Sequence, residues 1–357
     1  MIDNKKKKNT IKYFYQILSD IKNNIDTLVK ELYDNRNDLD GHAEKGKSVV
    51  KKSKYPDLKK LNILKKTDKW EITDLGLELL DIYQKGNKDE YNKIIASILG
   101  TYSYNGFRPY AVLCKFLYLK FGIGKSLNRE EIVDFLSLPI NEAMYFISNN
   151  KEPELKDLFY KGKKMIEAPR PYSYWLNYLI NAGLVKDGKN GFELTPDIKE
   201  FINIFFSDDE RAPIYKKDTI RSKYRIMSRG SDQITFRNEL LNAYEQKCAL
   251  TGKVFIMGSN NLLEAAHIIP VSHGGSYEIN NGILMTPDLH KAFDAGAFTF
   301  DENYNLIVFP NVKEINYLPE NKRINYLPKN KDSFPSKISL NYHKEYIFGV
   351  GVINSRS

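Results

Sequence analysis

Leu262-Leu-Glu264-Ala-Ala266-His267-Ile-Ile-Pro270 runs into Val271-Ser-His273-Gly274-Gly275-Ser276 and, after Tyr277 to Asn280, into Asn281-Gly-Ile-Leu-Met285-Thr286-Pro287-Asp288-Leu289-His290-Lys-Ala-Phe293-Asp294. The first piece reads as a strand closed by proline. The glycine pair predicts a turn, and the residues after Asn281 a returning strand. Thr286 and Pro287 then open a short helix, on which His290 and Asp294, four apart, share one face. Strand, turn, strand and helix together make a compact frame for one metal ion and one base.

Working outward, Ile234, Phe236, Leu240, Leu241 and Tyr244 form a helical stripe that ends at Cys248-Ala-Leu-Thr-Gly252. Cys114 and Cys248 are the only cysteines, too few for a disulfide framework or a four-cysteine zinc site. Any metal is therefore held by His and carboxylate. Cys248 reads as a buried helix-end residue, and His273 either touches phosphate or is an exposed turn residue.

At this point the residues resemble the HNH, or ββα-metal, endonuclease family, in its restriction-enzyme and DNase-colicin branch. The resemblance covers about residues 232–310, with weaker likeness from Pro335-Ser336 to Phe348. His267 matches the family's first His, Asn281 its Asn and His290 its last His, while Asp294 falls where some members carry another metal ligand. The resemblance implies catalysis by His267, Asn281 and His290. His267 takes a proton from the attacking water, Asn281 holds the loop that aims it, and His290 with Asp294 binds a divalent ion, Mg2+ or Mn2+. The implied products are a 5′-phosphate and a 3′-hydroxyl. Many members place an Asp or His ligand directly before the base; here that position is Ala266, and Glu264, on the same strand face, is the candidate substitute.

Two passages in the N-terminal part share one pattern. Leu61 to Gly76 reads as a helix end, two strand-like pieces and a Thr73-capped helix; Leu179 to Pro196, followed by Ile198, Phe201, Ile202 and Phe205, repeats it with Thr195 as N-cap and Pro196 as first helical residue. Both passages resemble the end of a winged-helix domain. Around the second, Phe107 to Phe121 reads as a first helix, Asn128 to Leu136 as a second with Asn128 and Glu131 spaced as a capping box, and Tyr172 to Ala182 as the recognition helix. The intervening insertion carries Lys161, Lys163 and Lys164. Ahead of the first, residues 11–34 carry an amphipathic stripe, and Ser48 to Leu61 a helix that Pro56 is expected to interrupt. Nine lysines between Lys45 and Lys66 face the single acid Asp57, a charge suited to phosphates. Arg170, Tyr172, Tyr174 and Trp175 either meet DNA or belong to the core. An ordinary helical bundle with solvated lysines is the competing reading of this half.

The expected architecture is α+β, a mostly helical, winged-helix-like N-terminal region followed by the ββα-metal nuclease domain. The expected boundaries are 1–90, 91–210, a linker at 211–231, and 232–357. A net charge of +9 and a pI near 9.1 suit a polyanion, although an AT-rich genome also enriches lysine. At 42% hydrophobic and 28% charged, with no apolar run long enough for a membrane span and no secretory pattern behind Lys5 to Lys8, the chain is expected to be soluble and cytoplasmic. The expected partner is double-stranded DNA, without a membrane; double-strand cleavage by one module per chain requires a homodimer, transient pairing or sequential nicks. The alternatives are a DNA-binding regulator on an inactive HNH scaffold and a nuclease of low sequence specificity. The tandem Ile315 to Lys322 and Ile324 to Lys331 segments read as an extended connection.

Overall fold

The structure, a computed structural model, describes residues 14–40 (except 19 and 22), 49–140, 169–206 (except 190), 233–310 (except 259) and 323–349, with 143, 144, 147, 312 and 318 between them. The chain divides into two compact units, one formed by 1–102 with 109–205, the other by 103–108 with 206–357. Among the described residues no helix is long and apolar enough to cross a membrane.

In the first unit the stripe over 11–34 breaks into α1 (Phe14–Leu18) and α2 (Ile25–Asn35), with the Asn24 side chain capping α2 by accepting the Asp26 N–H at 2.8 Å. Next, α3 (Val49–Lys60) runs through Pro56, contrary to expectation. Proline removes one helical hydrogen bond. Here Tyr55, Leu58 and Leu61 are buried, and Asp57 accepts both the backbone N–H and the side-chain amide of Asn23, so tertiary contacts hold the helix through the defect. The hairpin β1 (Leu64–Lys66) and β2 (Trp70–Ile72) leads to α4 (Asp74–Lys85), followed by α5 (Lys88–Thr101), α6 (Pro109–Phe121), α7 (Arg129–Leu136) and α8 (Pro169–Asn181). A second hairpin, β3 (Val185–Gly188) with β4 (Gly191–Leu194), precedes α9 (Asp197–Phe206). Helix α6 is apolar nearly all round and buried almost throughout, so it lies at the centre of this unit's core.

The two repeated passages share their bonds as well as their order. Asn62 and Gly183 each leave the preceding helix with positive φ. The Ile63 N–H returns to the Leu58 carbonyl and the Leu184 N–H to that of Leu179. The Thr73 hydroxyl donates to the Asn62 carbonyl at 2.7 Å, and the Thr195 hydroxyl to that of Gly183 at 2.6 Å. Thr73 also caps α4 by accepting the Gly76 N–H, whereas α9 starts two residues after Thr195, at Asp197. The boundary expected near residue 90 falls within α5, which packs on α4 and α8.

Among the described residues, four lysines of the lysine-rich stretch meet acids. Lys54 meets Glu31, Lys60 meets Asp20 at 2.9 Å, Lys65 meets Glu71 at 2.9 Å and Lys66 meets Asp40 at 3.4 Å. Acids from elsewhere in the unit supply what the local window lacks. Lys54 and Glu31 are largely covered, whereas the other three pairs are exposed and contribute under about 1 kcal/mol each. The side chains of Arg170, Tyr172 and Tyr174, the lysines of the 151–168 insertion and the 211–231 linker lie outside the described residues, while Trp175 is buried in the core.

In the second unit, residues 233–243 form α10. The hairpin β5 (Ile256–Met257) and β6 (Asn260–Asn261) precedes β7 (Glu264–His267), which pairs antiparallel with β8 (Gly282–Met285) in the register Glu264 to Met285 and His267 to Gly282. Then come α11 (Pro287–Asp294), the hairpin β9 (Phe298–Phe300) with β10 (Leu306–Val308), and α12 (Lys337–Tyr346). Phe236 and Leu240 of α10, Ala266, Ile283 and Met285 of the sheet, Leu289 and Phe293 of α11, Phe298, Phe300 and Leu340 form one core. A side chain at Gly282 would meet Leu240 at 2.5 Å and Phe236 at 2.6 Å, so α10 lies directly on the end of the β7–β8 ribbon.

Asp57→Ala is expected to lower the unfolding free energy by about 1–3 kcal/mol, read from urea melts. An unchanged midpoint would show that the Asn23 bonds do not hold α3 in place.

Candidate active site

His267 ends β7. Its ring stacks on Phe236, centroids 4.3 Å apart and planes at 20°, and meets Tyr277 edge-on at 5.1 Å. The residue as a whole is only partly covered, but its Nε2 is sealed from solvent without a hydrogen-bond partner. Burial, with smaller contributions from Arg108 and His290, pushes the imidazole from 6.5 down to about 3. His267 is therefore neutral at neutral pH.

Asn281 is fully buried and spans the loop behind His267. Its Oδ1 accepts the Ile269 N–H at 3.0 Å, and its Nδ2 donates to the carbonyls of Ile269 at 3.1 Å and Ser276 at 2.9 Å. Its own carbonyl accepts the Ile268 N–H at 2.9 Å. Every one of these partners is backbone, so Asn281 acts on the shape of the loop. Gly274 has φ +87°, and a Cβ on Gly275 would lie 1.9 Å from the Ile269 carbonyl oxygen, which explains the glycine pair. His273 is bonded through Nδ1 to the hydroxyl of the buried Tyr342 at 2.9 Å.

His290 projects from α11 between two carboxylates. Glu264 Oε2 lies 2.8 Å from its Nδ1, and Asp294 Oδ2 lies 3.2 Å from its Nε2. Residues 290 and 294 meet as their helical spacing predicts, and Glu264 arrives from β7. Imidazole and carboxylate are donor types that suit a hard or borderline divalent cation. The carboxylates bind opposite ring edges, and among the described residues no three such side chains converge on one point. Ala266 is buried in the core, as is Cys248. Thr286 occupies the N-cap of α11 but its side chain makes no capping bond, so Pro287 at the first turn carries the start signal.

The sequence places Arg108 in a helix from Phe107 to Phe121 and gives it no part in the site; the helix begins at Pro109, and Ser103 to Arg108 belong to the second unit. The Arg108 Nη2 donates to the Val271 carbonyl at 3.3 Å across 163 positions of sequence. Asn105-Gly106, a dipeptide that favours tight hairpins, was the available signal.

Residues 248–301 match the HNH endonuclease family. Among solved structures, the modification-dependent TagI restriction endonuclease aligns with a TM-score of 0.26 and 20% identity, over 31% of this chain and 36% of its own; the chain thus spans about a third of that enzyme's length. No curated protein matches the chain. The second unit carries an HNH endonuclease domain.

Asn281→Ala strands three buried backbone groups and is expected to cost about 2–4 kcal/mol in urea unfolding. Acid sensitivity is a second expectation. His343 donates from Nε2 to the Phe293 carbonyl and accepts at Nδ1 from the Thr299 hydroxyl, and burial pushes it, like His267, from 6.5 to about 3. The unfolded chain then binds protons that the folded one refuses. Stability is complete above about pH 6.5 and falls as pH drops towards 3. The urea midpoint should decline over that window, less steeply in His343→Gln; a flat wild-type profile contradicts neutral buried rings.

Proposed function

We propose that the protein is a metal-dependent, site-specific DNA endonuclease of the restriction type, hydrolysing phosphodiesters of double-stranded DNA to 5′-phosphate and 3′-hydroxyl ends. The observation that carries this reading is the neutral His267 at the end of β7, with the following loop braced by Asn281, in one small unit with an imidazole flanked by two carboxylates. A neutral imidazole is the form that accepts a proton. Because Nε2 is sealed, Nδ1 is the atom left to take the proton from the attacking water. Arg108 and His290 both make His267 a poorer base in the free protein. A phosphodiester brought between them offsets that positive field, so basicity rises as substrate arrives.

His290 and Asp294 would hold the cation, Mg2+ or Mn2+. A histidine ligand binds through one nitrogen and donates its other N–H to an orienting group. The 2.8 Å contact of Glu264 with Nδ1 suits the orienting role, which leaves Nε2 and the adjacent Asp294 carboxylate for the ion. When bound, such an ion stabilises charge on the phosphate and the departing oxygen. Glu264 thus supports the ligand instead of filling the place of Ala266.

The two helix–hairpin–helix passages of the first unit would read the duplex as winged helices, with their lysines exchanging acidic partners for phosphates. A homodimer or sequential nicking would supply the second strand cut.

Purified protein incubated with unmodified and modified plasmid, with Mg2+ or with EDTA, tests the reading. Discrete metal-dependent fragments, lost in His267→Ala, are expected. A smear indicates a nuclease without site preference, and DNA retarded on a gel yet intact indicates a binding protein on an inactive scaffold. His290→Ala should abolish Mn2+ binding in calorimetry, and Asp294→Ala should weaken it about 10–100-fold; wild-type affinity in His290→Ala excludes the ligand role.

A further inference from the structure

Six residues interrupt the first unit's sequence between α5 and α6 and are built into the nuclease unit. Tyr104 and Phe107 exchange backbone bonds around Asn105 and Gly106, both with positive φ, so Ser103 to Arg108 is a tight hairpin strap. Phe107 is fully buried. The Arg108 N–H donates to the Gly274 carbonyl at 2.8 Å, and the Ser276 N–H to the Gly106 carbonyl at 2.8 Å. The Ser336 and Ser339 hydroxyls, at the start of α12, donate to the Asn105 carbonyl at 3.2 and 3.3 Å. A Cβ on Gly106 would lie 3.1 Å from Asn281 Oδ1, so the strap's turn rests on the asparagine that braces the loop. The loop between His267 and Asn281 is thus gripped from two sides, by Asn281 and by the strap.

We infer that this strap is a working part of the nuclease site, with Arg108 as a positioning residue that holds the Val271–Ser276 turn behind His267. The inference rests on the nuclease reading above. Two observations carry it: the paired backbone bonds to Gly274 and Ser276, and the guanidinium bond to Val271 from a side chain that is only 5% exposed. Burying a guanidinium carries a desolvation cost that an apolar side chain of similar length would avoid. What the arginine adds is a donor fixed on the Val271 carbonyl and a fixed positive charge beside the base. Misplacement of a reacting group by about 1 Å can lower a rate about 100-fold, so a grip on this turn has a direct catalytic consequence.

The test uses the full chain carrying Arg108→Gln or Arg108→Lys, with melting temperature, cleavage kinetics and backbone amide exchange measured on each. In Arg108→Gln, kcat is expected to fall about 100-fold with KM within about 3-fold, and exchange to quicken at His273 and Ser276. Arg108→Lys, which restores a cation and a donor, is expected to recover most of the rate. Should Arg108→Gln fail to fold, faster exchange confined to 268–276 and a reduced kcat in folded Arg108→Lys support the role. Wild-type kcat and exchange in a folded variant overturn it, as does a rate loss that merely follows the melting temperature. If the wild-type protein leaves DNA intact, the nuclease reading fails, and exchange at Ser276 decides the strap's role by itself.

Discussion

The carboxamide of Asn281 is the interaction on which the nuclease unit depends. A chain leaving β7 must turn through residues 268–280 before it returns as β8, and much of that turn is covered, so its backbone groups need partners inside the protein. Asn281 supplies three of them from one side chain, two at Ile269 and one at Ser276. Asparagine suits the task because it carries a donor and an acceptor on one planar group. Aspartate lacks the donor and leucine both. The same turn needs its glycine pair, Gly274 for its positive φ and Gly275 for its close approach to the Ile269 carbonyl.

The two histidines of the site are set apart by their surroundings. His267 lies against Phe236 and Tyr277 and is neutral, whereas His290 has a carboxylate on each ring edge. Identical side chains thus sit in opposite settings, one against aromatic rings and the other between two carboxylates. The division arises from which face of the β7–β8–α11 frame each residue occupies.

Much of the site was legible because local spacing encodes it. His290 and Asp294 share a helix face by periodicity alone, and Gly274-Gly275 marks a turn by composition alone. What was illegible is tertiary. Glu264 meets His290 because α11 packs on β7, and Arg108 reaches Val271 from far upstream. The stretch between Lys45 and Lys66 shows only Asp57 as a local acid, because Glu31, Asp20 and Asp40, which meet Lys54, Lys60 and Lys66, lie outside the window. Pro56 was read by its local cost, whereas buried Tyr55 and Leu58 decide the outcome. In the N-terminal unit the duplicated helix, hairpin and helix were legible through Thr73 and Thr195, but the start of α9 two residues after Thr195 was not.

Chemical rescue is the most direct measurement of the central claim, that a neutral imidazole at position 267 takes the proton in DNA cleavage. His267→Gly opens a space beside Phe236 and Tyr277 in which free imidazole can stand in for the lost ring. The account predicts that this variant is folded and inert towards DNA that the wild-type protein cuts, and that added imidazole restores cleavage in proportion to its unprotonated form. Undiminished cleavage by His267→Gly without imidazole would contradict it.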